Sequence, residues 1–295
     1  MNGRLVPFKN AKVHVLTHAL HYSTSIFEGI RCYNTPNGSA IFRLSEHTDR
    51  FFNSAKMYGM KIRYTKKQIN DAIIKTVKAS KLKECYIRPL AYYGYGTMGL
   101  TPTLNKVDVS ISCWKWKMGE SKAGKVSGAK CKISKWIRID SRSQPMQAKS
   151  AANYSNAALA RVEALKSGYD EAIMLNYKGN VAEGSAENIF IVKNGVIKTP
   201  PLTADILNGI TRDSVIKLIK SKRKLVEKNI TVNELLKADE IFMTGTAAEV
   251  KSVTKINKTT IGNAKPGKIT KELQKSFMDV VMGKNPKFLS WLKYI

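Results

Sequence analysis

Acidic residues are scarce. Against 50 Lys and Arg, the 295-residue chain carries only 22 Asp and Glu, a formal net charge of +28. Such an excess raises an anionic partner, nucleic acid above all. Its distribution argues the other way. Residues 151–250 hold 13 Lys and Arg against 12 Asp and Glu, and the rest of the chain holds 37 against 10. The basic residues are spread over several helical segments rather than gathered in one tail or stripe. A lysine-rich solvated surface is expected, with no specific nucleic acid; a basic nucleic-acid-binding protein is a distant alternative. Cysteine is sparse as well. Cys32, Cys85, Cys113 and Cys131 form no CxxC pair and there are only 4 His, which disfavours a zinc ribbon or disulfide scaffold, and no metal is expected. Cys85 and Cys113 fall in strand-like runs, where a thiol is commonly a small core residue. No apolar run reaches the roughly 18 residues that cross a bilayer, and MNGRLVPFKN lacks the apolar core of a secretory signal. The expectation is a soluble, cytoplasmic chain of one large or two ordinary domains.

The pattern mixes strands and helices. AKVHVL (11–16) and AIFR (40–43) read as short strands. SEHTDRFFNSAKMYG (45–59) reads as a helix capped by Ser45, and TKKQINDAIIKTVKAS (65–80) as a helix whose Thr65 and Gln68 form a capping box. Strands follow at 85–93 and 107–114, the latter alternating Val107, Val109, Ile111 and Cys113 with polar residues. GESKAGKVSGA (119–129) is nearly free of large apolar groups and reads as a linker. Beyond it come a strand near 130–138, a helix near 151–167, strands near 171–175, 188–193 and 239–243, and helices near 211–222, 231–237 and 268–282. Gly-x-Gly signals of a dinucleotide fold are absent. The expected organisation is a small domain at 1–118, the linker at 119–129 and a larger domain at 130–295. Both are of mixed α/β or α+β type, and a ligand site is expected at their junction.

Four segments look specialised. In SQPMQAKSAANYSNAALA (143–160), Lys149 stands among Ala and Ser at a helix entrance. A lysine is the usual nucleophile toward an aldehyde, although in so lysine-rich a chain an exposed side chain fits this segment alone better. In GNVAEGSAENIFIV (179–192), Glu183 and Glu187 precede an apolar strand; one could keep a ring nitrogen protonated, or both could be solvated turn residues. LNGITRDSVIKLI (207–219) and MTGTAAEV (243–250) place Gly and Thr at a helix start and after a strand. Backbone N–H groups there suit a phosphate or carboxylate, with ordinary capping as the plain alternative. Taken together, the four point to an aldehyde cofactor that bears a phosphate.

The same segments, in order and spacing, resemble the class IV pyridoxal-phosphate aminotransferases of fold type IV, and among them the branched-chain amino acid aminotransferases. The resemblance runs over nearly the whole chain: AKVHVLTHALHYSTSIFEGIRCY, SEHTDRFFNSAK, YIRPL, MGLTP, PMQAKSAANY, EGSAENIF, NGITRD and TGTAAEV. It implies pyridoxal 5'-phosphate as cofactor, with three catalytic residues. Lys149 would form the Schiff base and carry the proton, Glu183 would pair with the pyridine nitrogen, and Tyr154 would bond the cofactor's phenolic oxygen. Arg50, Ile210, Thr211 and Thr246 would hold the phosphate, and Leu207 would pack on the ring. For substrate, Tyr22, Phe27, Gly29 and Tyr154 would line the apolar side-chain pocket. Tyr86 with Thr246 and Ala247 would seat the α-carboxylate, and Arg88 would take the side-chain carboxylate of glutamate. Leu100 would belong to a loop that reaches a partner subunit's site, making the protein at least a dimer.

The activity so implied exchanges amino groups between L-leucine, L-isoleucine or L-valine and 2-oxoglutarate, its partners being small amino acids and 2-oxo acids. FEGIR and YIRP favour this over a D-amino-acid aminotransferase or an aminodeoxychorismate lyase, which the resemblance also admits. Lys117 stands where the family commonly has a tyrosine that helps hold Arg88, and is expected to face solvent.

Overall fold

Short segments rich in Ile, Tyr and Cys supply the first sheet of the computed structural model, which describes residues 1–116 and 128–295. These strands are β1 (Ser25–Phe27), β2 (Ile30–Thr35), β3 (Gly38–Phe42), β4 (Cys85–Tyr93) and β5 (Val107–Trp114). β1, β2 and β5 all pair antiparallel with β4, and β3 extends β2. Three helices accompany them: α1 (His18–Tyr22), α2 (Leu44–Met57) and α3 (Lys66–Ser80). α3 begins at the expected capping box of Thr65 and Gln68. Its apolar stripe, Ile69, Ile73 and Val77, packs with Phe51 of α2 and with Cys32, Cys85 and Ile87 of the sheet.

Two expectations for this region are corrected. The second helix starts at Leu44 and not after Ser45. Leu44 is buried in the core, and Arg43 precedes it with a φ of 50°. The Arg43 carbonyl accepts from His47 N–H at 3.1 Å, and its guanidinium pairs with Glu46 at 2.7 Å. Burial of Leu44 therefore sets the helix start. Residues 11–16 form no strand. Val13 and Val15 are exposed, and the N–H groups of Lys12 and Thr17 bond within local turns, to Asn10 and His14. Alternation without a neighbouring ladder makes no sheet.

The second sheet is built from β6 (Ala129–Ile133), β7 (Glu171–Leu175), β8 (Val181–Gly184), β9 (Asn188–Lys193), β10 (Val196–Thr199), β11 (Leu225–Glu227), β12 (Glu240–Gly245), β13 (Glu249–Ile256) and β14 (Thr259–Thr260). The order is β11-β10-β9-β12-β13-β6-β7-β8, with β14 on β13. β6 runs parallel to β7 and β13, and the centre is antiparallel, so the fold is mixed α/β as expected. Phe190 and Phe242 face each other across β9 and β12 with centroids 4.9 Å apart. The helices of this region are α4 (Ala151–Lys166), α5 (Ile210–Lys220), α6 (Val232–Leu236) and α7 (Lys268–Val281).

The chain divides into two units, but not as one break followed by one continuous domain. The first comprises Met1–Lys117, Ala148–Asn153 and Val281–Ile295, the second Met118–Gln147 and Tyr154–Val280. Open strand edges recruit the two late segments of the first unit: Ser150 bridges Ile26, and β15 (Leu292–Tyr294) pairs with β3. Of the expected linker 119–129, all but Gly128 and Ala129 lies outside the described residues, as does Lys117; Ala129 already belongs to β6. Among the described residues no helix is long and apolar enough to cross a membrane.

Candidate active site

Lys149 is held by its backbone. Its carbonyl accepts from Phe27 N–H at 3.0 Å, and its own N–H donates to Ser54 Oγ at 2.9 Å. The Ser150 hydroxyl meets the Tyr58 hydroxyl at 2.8 Å. The side chain therefore springs from a fixed point between β1 and α2. Its Nζ lies 4.9 Å from the centroid of the Phe27 ring, and the Arg88 guanidinium lies 4.6 Å from the same centroid. Arg88 also faces the rings of Tyr86 (5.4 Å) and Trp114 (5.8 Å), and its Nη2 donates to the Tyr86 hydroxyl at 3.4 Å. Gly29 is required by this arrangement, because a Cβ there would collide with the Tyr86 hydroxyl. Lys149, Phe27, Gly29, Tyr86 and Arg88 thus converge, an amine and a guanidinium over aromatic faces.

Arg50, one turn of α2 after His47, is locked to Glu28. Its Nε and Nη2 donate to the two Glu28 oxygens at 2.6 and 2.9 Å, and His47 Nδ1 lies 2.7 Å from Glu28 Oε2. Glu28 is fully buried. Burial alone would raise its pKa, but the charge of Arg50 and the hydrogen bonds from Arg50 and His47 outweigh that and hold it far below the usual carboxylate range. Burial, together with the nearby charges of Arg50 and Lys149, lowers the pKa of His47 more than Glu28 raises it, so His47 donates to Glu28 as a neutral ring. A guanidinium fixed in this way is oriented to receive a phosphate.

In the second unit, Glu183 sits on β8, buried, with Oε1 2.7 Å from an Arg138 Nη2. Its Oε2 accepts from Asn188 Nδ2 at 2.9 Å and from Leu207 N–H at 3.2 Å, and the same Asn188 amide also donates to the Leu207 carbonyl at 2.9 Å. The Arg138 guanidinium and two N–H donors orient this carboxylate, which suits a protonated ring nitrogen. Leu207 leads through Gly209 into α5, whose first residues are Ile210 and Thr211. No side chain caps this helix start, and a Cβ on Gly209 would collide with Asn188 Oδ1. The N-terminal N–H groups of α5 therefore suit an anion. Thr244 is the cross-strand partner of Asn188, so the β12–β13 turn carrying Thr246 and Ala247 projects just past it. Tyr154 lies half-buried on α4.

Tyr22 and Leu100 belong to a different surface. The Tyr22 hydroxyl donates to the Met98 carbonyl at 3.0 Å, and His18 Nε2 meets the Gly99 carbonyl at 2.9 Å. Leu100 itself is 77% exposed. The Tyr86 ring also packs on Trp114 and Trp116, with centroids 5.0 and 5.3 Å away, and the sequence reading missed both indoles as well as Glu28, His47, Arg138 and Asn188. A His and an Arg at i and i+3 on one helix, after a glutamate in FEGIR, was the only available signal for the Glu28 network. Nothing local marked Arg138 or Asn188.

The chain matches the family described as Amino-transferase class IV over residues 25–256. It is 45% identical over 291 residues to a branched-chain-amino-acid aminotransferase of Pseudomonas aeruginosa, covering 98% of this chain and 94% of that protein. Two crystal structures of the T.th. branched-chain amino acid aminotransferase superpose with a TM-score of 0.95 at 42% identity, covering 100% of this chain and 97% of theirs. One is complexed with N-(5'-phosphopyridoxyl)-L-glutamate, the other with 4-methylvaleric acid.

Proposed function

Since the chain belongs to the class IV aminotransferases and has their fold-type-IV architecture, we propose that it transaminates L-leucine, L-isoleucine and L-valine with 2-oxoglutarate, using pyridoxal 5'-phosphate. The observation that carries the reading is the Lys149 cluster, in which one amine and one guanidinium lie over the same buried Phe27 ring. The cofactor fits the residues present: a backbone-clamped lysine, a buried oriented carboxylate at Glu183, a guanidinium fixed at Arg50 and an α5 start that no side chain caps. When bound, the cofactor supplies a carbonyl for the substrate amine and a ring that accepts the electron pair of the broken Cα–H bond. The chain supplies the rest. Lys149 Nζ removes the Cα proton as general base. Glu183 holds a proton on the ring nitrogen, Tyr154 donates to the phenolic oxygen, and Leu207 packs on the ring face. Arg50, Ile210, Thr211 and Thr246 bind the phosphate. Phe27, Gly29 and Tyr154 shape the apolar pocket, which Tyr22, on the separate surface it shares with Leu100, would line from a neighbouring subunit; Tyr86, Thr246 and Ala247 seat the α-carboxylate, and Arg88 takes a second one.

The N-(5'-phosphopyridoxyl)-L-glutamate bound by the relative supports 2-oxoglutarate as the acceptor. A cytoplasmic location and a dimer or larger assembly complete the reading; the assembly is supported by exposed Leu20, Tyr95, Leu100 and Leu104 on α1 and the 95–104 loop. The test begins with colour. The protein should be yellow, and borohydride should fix the cofactor covalently on wild type but not on Lys149→Ala. Failure to reduce wild type overturns the assignment. Spectral bleaching by L-leucine and L-glutamate is expected; bleaching by D-alanine alone would turn the reading to the D-specific enzymes.

A further inference from the structure

We propose that Asp205 is a positioning residue for the ring-nitrogen carboxylate, a latch between the two loop segments that aim Glu183. This rests on the role of Glu183 given above. Of the donors to Glu183, Asn188 stands on β9, whereas Arg138 and Leu207 stand on loops. Ser141 follows Arg138 by three residues, and Asp205 precedes Leu207 by two. Asp205 Oδ1 joins the two loops, accepting from the Ser141 N–H at 3.0 Å and from the Ser141 hydroxyl at 2.7 Å. A second stitch lies alongside, where Gln147 Nε2 donates to the Ile206 carbonyl at 2.9 Å.

Both loop donors depend on where their backbone runs. Leu207 donates through its own N–H. Arg138 is buried, yet its Nε and Nη1 have no hydrogen-bond partner among the described residues. Its aim therefore follows its backbone, which is anchored on one side by its N–H donating to the Leu175 carbonyl at 2.8 Å. The latch at Ser141 holds the other side. Asp205 is also an expensive residue for a plain turn. It is 2% exposed, its Oδ2 has no hydrogen-bond partner among the described residues, and its φ of 63° lies in the left-handed region. A glycine would adopt that backbone without strain and bury no carboxylate. A strained and desolvated acid kept there points to the bonds it makes. Those bonds run to Ser141, so Asp205 acts on Glu183 through placement.

Asp205→Gly keeps the left-handed turn and removes the latch. In the holoenzyme, kcat for L-leucine should fall by about 3- to 10-fold, the weight of one weakened charge-assisted hydrogen bond, with KM within about twofold of wild type. The Kd of pyridoxamine 5'-phosphate for the full chain, read by calorimetry without turnover, should weaken by a similar factor. The Kd of its deaza analogue, with carbon in place of the ring nitrogen, should change by less than about twofold, since Glu183 finds no N–H there. Asp205→Asn, whose amide oxygen still accepts from Ser141, should restore kcat and Kd. In a Glu183→Gln background, Asp205→Gly should add less than about twofold. Ser141→Ala removes one of the two latch bonds; it should shift kcat and Kd the same way by a smaller factor, and it serves where Asp205→Gly does not fold. Unchanged kcat and Kd, equal weakening for the deaza analogue, no rescue by Asp205→Asn, or an undiminished effect in the Glu183→Gln background would overturn the proposal. A Glu183→Gln variant that binds pyridoxamine 5'-phosphate as tightly as wild type sinks the reading of Glu183 and the latch with it. A wild type that ignores L-leucine sinks the substrate reading alone, and the two Kd values still decide the role of Asp205. A wild type that binds neither ligand sinks both.

Discussion

Replacing Glu28 with glutamine isolates what the buried ionic network contributes. The carboxylate accepts two hydrogen bonds from Arg50, one from His47 and one from the Gly29 N–H, and every partner is a donor. An amide keeps the volume but turns an NH2 group toward one of those donors, and in the cofactor-free protein it removes the carboxylate that pairs with the Arg50 charge, which is 12% exposed. Breaking a buried pair from one side costs about 3–5 kcal/mol; the residual exposure of Arg50 points to the lower end, about 3 kcal/mol. At about 2 °C per kcal/mol for a chain of this size, the melting midpoint near neutral pH should fall by about 6 °C. Glu28→Gln/Arg50→Met, which removes the stranded charge, should recover most of that. Circular dichroism melts of wild type, single and double variants provide the check. A single-variant shift below about 1 °C, or a double variant no better than the single, would refute the reasoning. The pH dependence has a definite sign. The folded pKa of His47 is lowered from its ordinary 6.5, so the unfolded chain binds more protons and stability drops as pH falls below about 6.5. Glu28, also lowered, adds a further loss below about 4.5 by the same sign. His47→Gln should flatten the first of these slopes.

Two further outcomes follow from packing. Gly29→Ala puts a methyl group against the Tyr86 hydroxyl, and the two indoles leave that ring no easy retreat; KM for L-leucine should rise at least about tenfold with the cofactor absorbance unchanged, and an unaltered KM would remove Tyr86 from the seat. Cys131 is fully buried, and burial pushes its thiol far above the usual range, so at about pH 8 an aromatic disulfide reagent should modify it only after denaturation; equally fast labelling of the native protein would refute the burial argument.

The strands Cys85–Tyr93 and Val107–Trp114 were legible because each alternates or pairs along its whole length within one sheet, and α3 because a capping box and an apolar stripe agree. AKVHVL carries the same alternation and forms no strand, since pairing depends on neighbours that a local pattern does not contain. β8 carried no period: Val181–Gly184 is all small residues around Glu183, and it is a strand because Met174 lies opposite. The candidate site divided in the same way. Lys149, Glu183 and Thr211 were singled out through local segments that match a family. Glu28 with Arg50, and Arg138 with Glu183, join residues 22 and 45 positions apart, and their pairing is a product of tertiary structure. The return of β15 to β3 was equally hidden, because only the completed sheet has an edge to fill.

The proposed pocket, which would accept both an isobutyl group and a carboxylate, poses an electrostatic problem, and the surroundings of Arg88 offer an answer to it. With an apolar substrate, a bare guanidinium beside the pocket would cost several kcal/mol in desolvation. Here it lies over the faces of Phe27, Tyr86 and Trp114, contacts worth about 0.5–2 kcal/mol each. They are strong enough to keep the cation content among rings and weak enough to be exchanged for a charge-assisted hydrogen bond, which is worth about 1.5–3 kcal/mol net. On the proposed function, Phe27 also belongs to the apolar wall. Dual recognition on this account needs no moving loop, only a cation whose resting partners are aromatic and whose alternative partner is the second carboxylate. A carboxylate as the resting partner, such as the one Glu28 gives Arg50, would have made Arg88 too well satisfied to respond.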